Sequence, residues 1–295
     1  MTRQAGAPVV VGIDGSARSL QAVDSAAAQA ALHHRPLRIV LAMSWPSLPV
    51  AEPPGVVPEP PPAVREQAES ALAEAVRQAE KAVPPVTVTG EVRTGAPVPV
   101  LLDESRRAYR LVIGDRGHGG FAGLLAGSVA VHLTAHGACP VVVVRGEQRP
   151  AGPVVVGIDG SALSAQALDF AVEEAARRGA ELVAVHAWLP PPVVGPVGMM
   201  PVPPGYVPEV LAAEEQRVLA EALAGMDSRY PDVTIRRESL PGAAAKVLRD
   251  RSETAQLVVV GSRGRGAFTG MLLGSVGQHL IHHAACPVAV VRPAA

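Results

Sequence analysis

Short uninterrupted runs of Val, Ile and Leu alternate with longer Ala-rich stretches along the whole 295-residue chain. In the first half the apolar runs occupy residues 8–13, 37–43, 86–92, 110–113 and 141–144. The stretches between them, such as 18–34 and 63–83, carry apolar residues three and four apart, the spacing of an amphipathic helix. Pro97 suits a first helical turn, where its missing N–H costs nothing, and Gly179 after Arg177 and Arg178 suits a C-terminal stop. Apolar runs without alternation predict strands covered on both faces, as in a parallel sheet. Strand-helix alternation of this kind predicts α/β architecture, with five-stranded parallel sheets and helices on both faces. Ligands of such sheets bind beyond the carboxyl ends of the strands, where the strand order reverses. The residues just after each Val run are therefore the place to look for chemistry.

The pattern is written twice. VVVGIDGS at 9–16 recurs at 154–161, GDRGHGGFAGLLAGSV at 114–129 returns as GSRGRGAFTGMLLGSV at 261–276, and CPVVVVR at 139–145 returns as CPVAVVR at 286–292. A period near 147 residues is too long for a solenoid and marks a duplicated domain. The halves are predicted to span 1–146 and 153–295, with a short linker at 147–152.

Composition narrows the function classes. With 48% hydrophobic and 18% charged residues and a formal net charge of −1, the chain fills ordinary cores and is not disordered. Near-neutrality offers no broad attraction to nucleic acid. Three Phe, three Tyr and two Trp provide no stacking platform beside Arg106, Arg107, Arg110, Arg177 and Arg178, so no nucleic-acid partner is expected. The long stretch 182–208, free of Asp, Glu, Lys and Arg, contains eight prolines, so no membrane span is expected there. The N-terminus lacks the long apolar region of a signal peptide, which points to the cytoplasm. Cys139 and Cys286 each precede a Pro-Val run without metal-ligand spacing and read as small buried hydrophobes.

Two motifs follow the strands. Gly12-Ile13-Asp14-Gly15-Ser16 and Gly157-Ile158-Asp159-Gly160-Ser161 either hold a carboxylate acceptor at a strand tip or are tight strand-to-helix turns with Ser as the cap. Gly114-Asp115-Arg116-Gly117 is followed, nine residues later, by Gly127-Ser128-Val129; the second half has Gly261-Ser262-Arg263-Gly264, nine residues, then Gly274-Ser275-Val276. Glycines let backbone amides approach a ligand, and Gly-Ser opening a helix presents N–H groups and a hydroxyl to phosphate oxygens. No Lys-Ser/Thr pair follows, so this is not a Walker loop, and no GxGxxG opens the first helix.

On these residues the chain resembles the universal stress protein family in its tandem-domain, ATP-binding form. The family signature G-x2-G-x9-G-[ST] is matched in full in both halves, with the strand-end Asp and the Cys-Pro-Val run in place. The resemblance covers essentially the whole chain. It implies a Rossmann-like, five-stranded parallel sheet in each half and two ATP sites, with Mg²⁺ accompanying the nucleotide. It implies that Asp14 and Asp159, following Gly12 and Gly157, lie beside adenine and ribose. Gly114, Gly117, Gly261 and Gly264 would hold the ribose and first phosphates, and Gly127-Ser128-Val129 and Gly274-Ser275-Val276 the distal phosphates. The loop residues Asp115, Arg116, His118, Gly119 and Gly120, and Ser262, Arg263, Arg265, Gly266 and Ala267, complete the nucleotide-binding set. Adenine would meet backbone groups near Ser44 and Ala187. The resemblance further implies pairing of the two domains through 141–144 and 288–291, with a homodimer and a regulatory protein partner also expected. The function it implies is nucleotide-dependent regulation of stress response or growth arrest.

The halves differ at the phosphate loop. Asp115 corresponds to Ser262 and His118 to Arg265; a carboxylate would oppose phosphate and Arg would support it, each by about 1 kcal/mol if exposed. The C-terminal site is therefore expected to bind ATP more tightly. His132 and His136, repeated as His279 and His283, face one side of a helix and could ligate a metal, but no carboxylate completes an HExxH motif, and histidine near a helix C-terminus is favourable in itself. No metal site is expected. The long Pro-rich connections 44–62 and 188–208 are expected to form flaps beside the nucleotide. No GxSxG elbow, Cys/His pair or acidic dyad marks an enzyme, so no catalytic residue is assigned. Slow ATP hydrolysis, or a partner-binding module with vestigial or other adenine-nucleotide pockets, are the alternatives.

Overall fold

The computed structural model describes residues 6–44, 60–117, 127–189, 208–265 and 273–293. The chain divides into two compact units, with the boundary between Arg145 and Gly146. The first contains β1 (Val9–Ile13), α1 (Ala17–Leu32), β2 (Leu37–Met43), α2 (Pro62–Ala82), β3 (Val88–Thr94), α3 (Pro97–Ser105), β4 (Arg110–Gly114), α4 (Ser128–His136) and β5 (Val141–Val144). The second contains β6 (Val154–Gly157), α5 (Ala162–Arg178), β7 (Leu182–Trp188), α6 (Pro208–Ala222), the single turn α7 (Met226–Arg229), β8 (Ile235–Pro241), α8 (Ala244–Arg251), β9 (Leu257–Gly261), α9 (Ser275–His283) and β10 (Val288–Val291).

Each unit is a parallel sheet of five strands, ordered β3-β2-β1-β4-β5 in the first and β8-β7-β6-β9-β10 in the second. Continuous apolar runs are the cause: every residue of β1 is buried, and Val9 and Val11 have no exposed surface. Val9 pairs with Leu37 on one side and Arg110 on the other. The chain thus leaves β1 in one direction and later returns to its opposite edge, which opens a crevice between β1 and β4, and equally between β6 and β9. In the first unit α1 packs with α2, and α3 with α4; in the second α8 packs with α9.

Element ends follow local chemistry. Ser16 and Ser161 cap α1 and α5 by accepting from the Ser19 and Ser164 N–H groups at 3.2 Å. Pro97 opens α3, and Gly179 ends α5 in the left-handed region at φ 59°. The third strand begins two residues later than the expected 86–92, because Val86 donates to the Val83 carbonyl (3.0 Å) and closes a turn around Pro84 and Pro85. The segment 147–152 lies against the second unit: Glu147 N donates to Ala285 O (2.9 Å), and Gln256 Nε2 donates to Gly152 O (2.7 Å). Cys139 and Cys286 are buried free thiols.

Candidate functional site

Both readings of the GIDGS motif describe the same five residues. Asp159 Oδ1 accepts from Ser161 N at 2.9 Å, Gly160 takes φ 75°, and Ser161 caps the helix. Asp14, Gly15 (φ 83°) and Ser16 repeat the turn, with Ser16 N donating to Asp14 Oδ1 at 3.0 Å. The other Asp159 oxygen leaves the turn: Oδ2 accepts from Arg265 N at 2.8 Å and so joins the tip of β6 to the loop after β9. Burial pushes this carboxyl up, but hydrogen bonds from Ser161, Arg265 and Ser164 outweigh it and hold the group below the usual carboxylate range.

The second glycine of each signature exists because of that aspartate. A Cβ at Gly264 would overlap Asp159 Oδ2, and one at Gly117 would overlap Asp14 Oδ2. Gly114 and Gly261 sit where the tips of β4 and β9 approach the first turns of α1 and α5, whose Arg18 and Leu163 carbonyls would lie 3.1 Å from an added Cβ. Gly12 and Gly157 receive the side chains of Leu101 and Leu248 on their faces. These last two glycines thus have a packing reason of their own, although Gly157 also lines the cleft described below.

Gly127 N donates to Asp115 O and Gly274 N to Ser262 O, both at 2.8 Å, closing each loop at its base. His118, Gly119, Gly120, Gly266 and Ala267 lie between those closures, outside the described residues, as do 45–59 and 190–207 of the expected flaps. Gly127 and Gly274 offer no side-chain cap to α4 and α9. The first-turn N–H groups of a helix have no intrahelical partner, so Ser128 and Val129, and Ser275 and Val276, present theirs at the crevice.

In the second unit these parts enclose a cleft of about 400 Å³, within the range of roughly 300–1,000 Å³ typical of small-molecule sites. Ile158, Val185, Ala187 and Leu248 give it apolar lining; Asp159, Arg263, Arg265 and the α9 terminus give it polar lining. Arg263 and Arg265 pair with no carboxylate among the described residues. Burial, and then the Arg263 charge, push the Arg292 guanidinium down from its ordinary value. Cations without a carboxylate partner, lining a cleft with a helix N-terminus, have the chemistry to attract an anion.

The first unit differs where the sequence suggested, for another reason. Asp115 does not turn toward the crevice as an open charge: it is 4% exposed, and its Oδ1 lies 3.9 Å from Arg18 Nε. The corresponding residues of the second unit are Ser262 and Leu163. A charge pair in one half is thus replaced by a small polar and an apolar side chain in the other, a coupling that comparison of the halves at position 18 would have revealed. Arg116 occupies the place of Arg263, and Ser44 is exposed at the end of β2.

One residue was missed altogether. His186 on β7 is buried, with Nδ1 2.8 Å from the Ile158 carbonyl and Nε2 2.7 Å from Glu215 Oε2 on α6. His132 and His136 turn Nδ1 to the carbonyls four residues earlier, at 2.8 and 3.0 Å. No group of three or more His, Cys, Asp or Glu among the described residues is arranged to hold a metal ion. None of the described helices is long and apolar enough to cross a membrane.

Two doubly wound parallel sheets, each ending in an aspartate-glycine contact and an uncapped helix N-terminus, define a pair of Rossmann-like domains. The chain belongs to the universal stress protein family, whose model matches residues 7–145 and again 151–292. A universal stress protein of Mycolicibacterium smegmatis is 39% identical over 301 residues, covering 97% of each chain. One of Mycobacterium tuberculosis is 42% identical over 294 residues, covering 96% of each. A crystal structure of a universal stress protein from Archaeoglobus fulgidus shares the fold, with a TM-score of 0.70 at 19% identity, over 97% of this chain and 96% of that one.

Proposed function

We propose that this universal stress protein binds ATP in each half and acts as a nucleotide-dependent regulator of stress response or growth arrest. The observation that carries the reading is the C-terminal cleft, whose lining combines apolar side chains with Arg263, Arg265 and the uncapped terminus of α9. That combination of apolar and cationic lining suits a nucleotide's own combination of base and polyphosphate. The residues fit Mg²⁺ only as a companion of the phosphates, since protein ligands for a dedicated ion are lacking among the described residues. The first half repeats the aspartate, the glycines and the helix terminus, and supports a second site.

Thermal unfolding with and without Mg·ATP tests the reading. Nucleotide at about a hundred times its Kd stabilises the folded chain by about 2.7 kcal/mol, a rise in melting temperature of roughly 5–10 °C for a domain of this size. An unchanged transition at millimolar ATP refutes it. Arg265 gives the second half the stronger phosphate end, so Asp159→Ala removes more of the ATP effect than Asp14→Ala; equal losses refute the ranking.

A further inference from the structure

Helix α6 is tied to the tip of β6 by a single polar pair. His186 Nδ1 faces a carbonyl oxygen, Ile158 O, at 2.8 Å and must donate to it; Nε2 then shares a proton with Glu215 Oε2 at 2.7 Å. Ile158 immediately precedes Asp159, and its own N–H donates to Val185 O at 2.8 Å. The imidazole side chain is only 6% exposed and the Glu215 side chain 26%. A chain of hydrogen bonds thus runs from the residue before Asp159, through His186 and Glu215, to a helix on the outside of the unit.

The first half shows that packing alone does not require this pair. By strand register His186 corresponds to Leu41, which pairs with Ile13 on β1. Counting back from the third strand of each half, Glu215 corresponds to Ala68. Leu41 and Ala68 are both buried apolar residues, so the first half buries these two positions without a polar pair. Only the second half replaces both residues with partners that transmit a directional contact.

We propose that His186 and Glu215 couple occupancy of the C-terminal cleft to helix α6, so that this half alone reports its bound state on an outer helix. The proposal rests on the nucleotide reading above. Ligand that settles Asp159 settles the Ile158 carbonyl beside it, and His186, as a positioning residue, carries that order to Glu215 and α6.

Hydrogen exchange of the full chain, with and without Mg·ATP, tests it. In the wild type ATP slows exchange of the α6 amides by about fivefold or more, the low end of ordinary coupling between sites, while α2 shows no such change. In the His186→Leu/Glu215→Ala double variant, which installs the first half's residues, ATP still protects the first turn of α9 but leaves α6 unchanged. Glu215→Gln retains the α6 response, because its amide can donate to a neutral Nε2; Glu215→Ala alone loses it. A merely structural pair would alter α6 exchange equally with and without ATP. Protection of α9 without any response of α6 in the wild type overturns the coupling, as does an equal α6 response in the double variant. Absence of protection at both α9 and α6 overturns the nucleotide reading and the coupling with it.

Discussion

Gly264→Ala isolates the contact on which each site is built. Gly264 is not in the left-handed region, so alanine meets no backbone penalty there, and the whole cost comes from its Cβ overlapping Asp159 Oδ2. The carboxylate is not free to retreat, because Ser161 N holds Oδ1 at 2.9 Å and Arg265 N holds Oδ2 at 2.8 Å. Making room breaks at least the second of these. A hydrogen bond to a charged group contributes about 1.5–3 kcal/mol, reduced toward about 1–2 kcal/mol here because the carboxylate is partly solvated. The assay is urea denaturation followed by Trp188 fluorescence in a Trp45→Phe background, with Gly264→Ala, Asp159→Ala and the double variant. Once Asp159 is truncated the added methyl has space, so Gly264→Ala costs less than about 0.5 kcal/mol in that background, a coupling near 1 kcal/mol. Equal cost in both backgrounds would refute the reasoning and leave the glycine's purpose as close approach to a ligand alone.

Asp159 is held below the usual carboxylate range in the folded chain, so its contribution is present above the unfolded value near 3.8 and is lost as pH falls below it. Asp159→Asn should therefore flatten acid unfolding of the second unit, read by Trp188 fluorescence against pH; an unchanged acid limb counts against it. In the first unit, Arg18→Leu leaves the buried Asp115 carboxylate without its cation and destabilises by about 1 kcal/mol, whereas Arg18→Leu/Asp115→Ser installs the second half's pair and recovers that loss. Thermal denaturation of the three variants checks this, and a double variant no more stable than Arg18→Leu overturns it.

Most of the architecture was legible because burial on both faces leaves a clear mark. β1 and β5 are apolar throughout, as are β2 and β4 apart from Arg38 and Arg110, and no alternating pattern competes with them. The third strand was displaced because it lies at a sheet edge, where Gly90 and Glu91 are exposed and the apolar signal no longer fixes the register; the turn at Val86 sets it instead. The site was legible as a set of positions but not as a set of reasons. Spacing located Asp159 and Gly264, yet only coordinates show that the carboxylate of one occupies the space a side chain on the other would need. Asp115 shows a related limit: a sequence shows a charge in a glycine-rich loop, but not its burial or the Arg18 guanidinium that approaches it from α1.

A duplicated fold supplies its own control, because each position has been solved twice in one chain. Where the two solutions agree, as at Asp14 with Gly117 and Asp159 with Gly264, the shared geometry belongs to what both halves must do. At two of the places where they differ, a contacting pair in one half has changed at both positions in the other: Arg18 with Asp115 against Leu163 and Ser262, and His186 with Glu215 against Leu41 and Ala68. Changing one member alone strands a buried polar group, which costs more than either complete pair. A polar pair of this kind persists as a unit or is lost as a unit, and these two are each present in one half and absent from the other. The first half places its pair between the first turn of α1 and the residue after β4, while the second places its pair between the residue before the aspartate and an outer helix. The two sites can therefore keep the same cradle for a ligand while differing in what each does with its presence.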